Sequence, residues 1–111
     1  MALKTRVDIM EDGTVNAGAV VVKNSAIPPN GKRVLLQKFG GCSGVTAGFC
    51  AIQWGDAGGG WTTIRAISGT AEFIINQEFT GDGTKRFRIA RQNDGTPAKY
   101  MAAWAEALVM N

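Results

Sequence analysis

The sequence predicts an all-β chain: an antiparallel β-sandwich of about eight short strands with jelly-roll-like connections. Three observations lead there. Two-residue alternation of apolar and polar residues recurs through most of the 111 residues, whereas helical periodicity is scarce. Many of the 15 glycines fall at hairpin ends and in two long loops. The alternating runs are rich in β-branched and aromatic residues, which suit a pleated, half-buried surface.

Leu3, Thr5, Val7 and Ile9 alternate with Lys4, Arg6 and Asp8 in a first strand. Glu11-Asp12-Gly13 should end it, because Asp-Gly is a strong hairpin signal. Val15 to Lys23 reads as the second strand, and the loop from Asn24 to Gly31 follows because neither Pro28 nor Pro29 can donate to a ladder. Lys32 to Phe39 is the third strand. Gly40 to Gly44 reads as a flexible connection, and Val45 to Trp54 as a fourth strand with Phe49 and Ile52 in the core. The stretch Gly55 to Gly60 is too permissive in backbone to belong inside an element. Trp61 to Ser68 and Ala71 to Phe79 are strands joined at Gly69-Thr70. Phe79 to Thr84 then turns the chain into Lys85 to Gln92, with Phe87 and Ile89 on one face and Arg86 and Arg88 on the other. Residues 98–111 are ambiguous. Thr96-Pro97 resembles a helix N-cap with proline at the first helical position. The preferred alternative is a final strand with Tyr100, Ala102, Trp104, Glu106 and Leu108 on one face and Met101, Ala103, Ala105, Ala107 and Val109 on the other, because the earlier strands need their sheets completed.

Length and composition place all 111 residues in a single domain, 45% hydrophobic and 19% charged, with one modest core. The chain contains no His. That removes the commonest general base and metal ligand, so Ser-His-Asp, Cys-His and His-bearing zinc sites are excluded. The charged N-terminus lacks the apolar stretch of a signal peptide, and no run approaches a membrane span of about 18 apolar residues. Cys42 and Cys50, with no Cys-x-x-Cys spacing and no further ligand candidates, are expected as two free thiols in a reducing compartment, with a disulfide as the alternative.

No catalytic residue, cofactor or metal is expected. The carboxylates lie mostly in turns, at Glu11, Asp12, Asp56, Asp82 and Asp94, where they serve turn backbone. Thr80 to Thr84 holds one carboxylate where an EF-hand calcium loop alternates several, so it reads as a hairpin turn. Neither glycine-rich loop has a phosphate-binding pattern. The net charge is +3 with a local basic excess from Lys85 to Lys99, where five cations face only Asp94. Arg86 and Arg88 are therefore candidates for nucleic-acid contact, although aromatic interleaving is missing and a solvated strand face is the preferred reading. Trp54 and Trp61 bracket a glycine-rich loop. Together with Tyr100 they are candidate stacking platforms for a glycan or anchors for a partner chain, against the alternative of core residues pinning the loop.

The stretches Ala51 to Asp56, Trp61 to Arg65, Phe79 to Arg88 and Arg91 to Asn93, with Gly/Thr-rich hairpins and Trp at strand ends, resemble small β-sandwich proteins associated with tailed-bacteriophage particles. The resemblance covers about half the chain and carries no site motif. It implies a virion accessory protein, a capsid decoration or tail-associated subunit, built in the host cytoplasm and meeting other virion proteins. Such a protein is non-enzymatic and homo-oligomeric, with a trimer as one candidate symmetry. A carbohydrate-binding module is the first alternative and nucleic-acid binding the second; no membrane partner is expected.

Overall fold

The computed structural model describes residues 5–43 and 48–110. Leu3 and Lys4, Gly44, Val45 and the Cys42 side chain, on which any pairing with Cys50 turns, lie outside the described residues. Among the described residues there are nine strands: β1 (Thr5–Arg6), β2 (Ile9–Val15), β3 (Val20–Asn24), β4 (Arg33–Ser43), β5 (Gly48–Asp56), β6 (Gly60–Ile67), β7 (Thr70–Thr80), β8 (Arg86–Asn93) and β9 (Lys99–Val109).

The strands pair as nested ribbons. β2 pairs with β9, β3 with β8, β4 with β7 and β5 with β6, all antiparallel. Two further pairings, β4 with β9 and β5 with β8, roll the nested ribbon into two sheets. The first sheet runs β1/β2–β9–β4–β7 and the second β3–β8–β5–β6. Because β1 and β2 lie end to end along β9, each sheet is four strands wide. The predicted antiparallel β-sandwich is the observed fold.

Alternation along each strand builds the core. Ile9 and Val15 from β2, Val34, Leu36 and Phe39 from β4, and Met101, Ala103, Ala105 and Ala107 from β9 face inward from the first sheet. Cys50, Ile52, Phe87 and Ile89 meet them from the second. The C-terminal segment is a strand, with the two faces that its alternation predicts. It sits between β2 and β4, so long-range pairing on both sides outweighs the local helix signal at Thr96-Pro97. Buried Asn93 shapes the turn into β9: its Nδ2 donates to Val15 O (3.0 Å) and Pro97 O (3.2 Å), and its Oδ1 accepts from Gly95 N (3.0 Å).

Some local expectations fail: Phe49, expected in the core, is half-buried outside the core cluster, and at three places a glycine lies within a strand instead of in a turn or loop. Asp12-Gly13 lies inside β2, opposite Ala102 and Met101, and the chain turns instead at Asn16, where the O accepts from Ala19 N (3.0 Å). Gly40 and Gly41 belong to β4 and not to a flexible connection. A Cβ at Gly40 would fall 2.3 Å from the Trp104 ring, and one at Gly41 would fall 2.9 Å from Cys50 Cβ. Glycine in a strand interior thus marks close approach on each face. Gly55 and Asp56 likewise continue β5, since a Cβ at Gly55 would strike the Gly60 carbonyl 2.1 Å away on β6.

Candidate interaction surfaces

The structure separates the two tryptophans that flank the glycine-rich loop. Trp54 points into the sandwich, its ring 4.7 Å from Phe87 and 5.1 Å from Phe79. Trp61 lies on the opposite face of the second sheet, with the Arg88 guanidinium 4.2 Å above its ring. Strand parity allows nothing else, because Trp54 pairs with Thr62 and Trp61 with Gly55. The two indoles therefore form no common platform. Tyr100 is exposed on the outer face of the first sheet, where its hydroxyl donates to Asp12 Oδ2 (2.9 Å).

The basic stretch divides between two environments. Arg88 Nε donates to Gln53 Oε1 (2.8 Å), and Gln53 Nε2 donates to Thr63 Oγ1 (3.1 Å), which ties the guanidinium into an outer-face row. Burial lowers the Arg88 pKa from its ordinary value. Arg86 Nη1 donates to the Ser25 carbonyl (3.3 Å). Arg91, grouped with them by sequence, faces the other way. Its side chain is 4% exposed, its Nη1 donates to Met101 O (2.9 Å) and Gly13 O (3.3 Å), and Glu11 lies 3.8 Å from Nη2. Glu11 also meets Lys23 Nζ at 3.3 Å. Residue parity could have placed Arg91 with Phe87 and Ile89.

At the loop end, the turn carboxylates hold backbone. Asp82 Oδ1 accepts from Lys85 N (2.7 Å) and Thr84 N (2.9 Å), which keeps its carboxyl below the usual range. The Gly59 N–H and then the Thr84 hydroxyl do the same for Asp56. Among the described residues no group of three or more Cys, Asp or Glu could hold a metal ion, and no helix is long and apolar enough to cross a membrane.

Two surfaces escaped the sequence reading. On the outer face of the first sheet, Trp104 lies flat over Gly40, and its Nε1 donates to Glu72 Oε2 (2.7 Å), so one indole reaches from β9 across β4 to β7. Met10, 65% exposed, stands opposite it on β2, and Ile74, 74% exposed, lies beyond on β7. The signal available in the sequence was the glycine pair inside an apolar run. The other surface is the open edge at β3. Val20, Val21 and Val22 are all exposed there, on a strand that among the described residues has a sheet neighbour on one side only.

No protein-family model and no curated protein matches the chain. Among solved structures it is similar to the crystal structure of PirA, at 20% identity over 86% of this chain and 92% of that one, with a TM-score of 0.48. It is also similar to a chain of the cyanophage Pam1 capsid asymmetric unit, at 17% identity over 98% of this chain and 84% of that one, with a TM-score of 0.49. A phage capsid chain thus stands among the structures this one weakly resembles. At these scores the likeness concerns the course of the backbone alone.

Proposed function

We propose that the chain is a non-enzymatic structural subunit of a phage particle, a capsid decoration or tail-associated protein, that self-associates through the edge of β3. We read the nested pairing described above as a jelly-roll connection, an architecture that viral capsid domains share with lectins; the support this lends is fold-level analogy.

The observation that carries the reading is the β3 edge. Ala19 O accepts from Asn93 N, and Ser25 N donates to Phe87 O, so odd-numbered residues of this segment face β8. By antiparallel alternation, the backbone groups of Val20, Val22 and Asn24 point away from the sheet. An edge of this kind is a template for another strand. A second β3, antiparallel and centred on Val22, sets Val22 opposite Val22 and Val20 opposite Asn24, matching every outward backbone group. Val22 also ends a row of small apolar residues, Val22, Ala90, Ala51 and Ala66, which the two-fold pairing would double in length. Such a contact is isologous and closes as a dimer, which favours a two-fold unit over a trimer.

Size-exclusion chromatography with light scattering tests this. Wild type should elute as an oligomer at tens of micromolar, and Val22→Lys, which places a charge at the centre of the pairing, should lower the mass toward that of one chain. A wild-type monomer at those concentrations would overturn the proposal.

A further inference from the structure

We propose that the outer face of the first sheet is a binding site for a neutral glycan chain, with Trp104 as its stacking platform. The site is independent of the β3 edge, which belongs to the other sheet. Its first element is preorganisation. Gly40 supports one face of the indole and Glu72 fixes its Nε1 end, so the opposite ring face is presented outward in one orientation. A flat apolar ring held in this way suits the C–H face of a pyranose and loses little entropy on binding.

The second element is what surrounds the ring. Two shallow depressions adjoin along this face and share Glu106, one of about 380 Å³ beside Trp104, Met10 and Asp8, the other of about 350 Å³. Arg6, Gln37, Lys38 and Asn76 line the second. Part of this lining is already held in place: Arg6 Nε donates to Asp8 Oδ2 (2.7 Å), and Arg6 Nη2 donates to Gln37 Oε1 (3.0 Å). The face therefore offers planar donors and acceptors beside an aromatic plate, which is what vicinal hydroxyls require.

Charge decides among polymers. Arg6 and Lys38 are balanced by Asp8 and Glu106, and Glu72 lies at the Nε1 edge of the ring, so the face has no positive excess to neutralise a polyanion. A neutral chain is the occupant that this balance fits. Two depressions in line suit successive sugar residues better than one isolated ring.

Nitrogen–proton correlation spectra of the ¹⁵N-labelled full chain test the site. The three tryptophans give three indole N–H resonances, and Trp104→Phe assigns the one that matters. Cellohexaose, hexa-N-acetylchitohexaose and maltohexaose are titrated to about 10 mM, where even millimolar affinity registers, with heparin as the anionic control. At least one neutral hexasaccharide should shift the Trp104 resonance saturably and leave that of interior Trp54 in place, while heparin should not. Trp104→Ala should weaken binding at least tenfold and Trp104→Phe only several-fold, with second-sheet amide shifts unchanged as the check on folding. The proposal is overturned if no neutral hexasaccharide shifts Trp104, if heparin alone does, or if Trp104→Ala binds as well as wild type. It is equally overturned if the resonance moves with protein concentration alone, which would make a second copy the occupant.

Discussion

Substituting Gly40 by Ala should destabilise the protein only while Trp104 is present. The new Cβ would lie 2.3 Å from Trp104 Cε2 and Cζ2 and 2.5 Å from Nε1, against an optimal separation of about 3.5–4 Å. The ring must rise by more than its packing tolerates, which costs about 1–3 kcal/mol as overpacking. Lifting it also breaks the Trp104–Glu72 hydrogen bond, which at a half-exposed position contributes about 1 kcal/mol. Ala in place of Gly within a strand returns about 0.5–1 kcal/mol. The net loss is about 1–3.5 kcal/mol, or roughly 4–14 °C in Tm for a domain of this size. In a Trp104→Ala background the clash is gone and the backbone term remains, so the same Gly40→Ala change should stabilise by up to about 1 kcal/mol. Thermal and urea unfolding of the four proteins completes the cycle. Equal destabilisation in both backgrounds would refute the account of Gly40 as the seat of the indole.

Other perturbations probe the interior and the carboxylates. Arg91→Met, which keeps volume and removes a buried charge with an unpartnered Nε, should cost less than about 1.5 kcal/mol in urea unfolding. Arg91→Ala should cost about 3 kcal/mol, because to the loss of the donor to Met101 O and Gly13 O, which both variants share, it adds a cavity. Asp82 and Asp56 are held below their ordinary pKa by backbone and Thr84 donors, and Asp8 is too: burial pushes its carboxyl up, but Arg6 and the Ala107 N–H more than offset that. A depressed folded pKa gives stability that is present above the unfolded value of about 3.9 and lost as pH falls through the folded one. Tm should therefore hold between neutral pH and about pH 5 and drop below about pH 4, with a shallower acid limb in Asp82→Ala.

Strand identity was legible wherever alternation was strong, as in β7, β8 and β9, because a two-residue period with one buried face fixes both the element and its inward residues. The two faces of β9 follow directly from that rule, even though Thr96-Pro97 argued locally for a helix. Glycine was misread for a physical reason: Gly40 and Gly41 sit where Trp104 and Cys50 come close, and Gly55 where the β6 backbone does, approaches that only the strand pairing reveals. The same limit hid the surfaces. Trp104 becomes a platform only because Gly40 and Glu72, on two other strands, meet it, and the valines of β3 become an edge only once the pairing order is known. Arg91 is a different case, since its parity with Phe87 and Ile89 was available and only its charge argued for solvent.

The most direct test of the β3 assembly is sedimentation equilibrium of wild type and Val22→Pro, with circular dichroism to confirm that both are folded. The Val22 N–H points away from β8, so proline removes a donor from the open edge and none from the sheet. Wild type should sediment at twice the 11.7 kDa chain mass or a multiple of it, and folded Val22→Pro at the mass of one chain. Equal masses for the two folded proteins would contradict assembly through this edge.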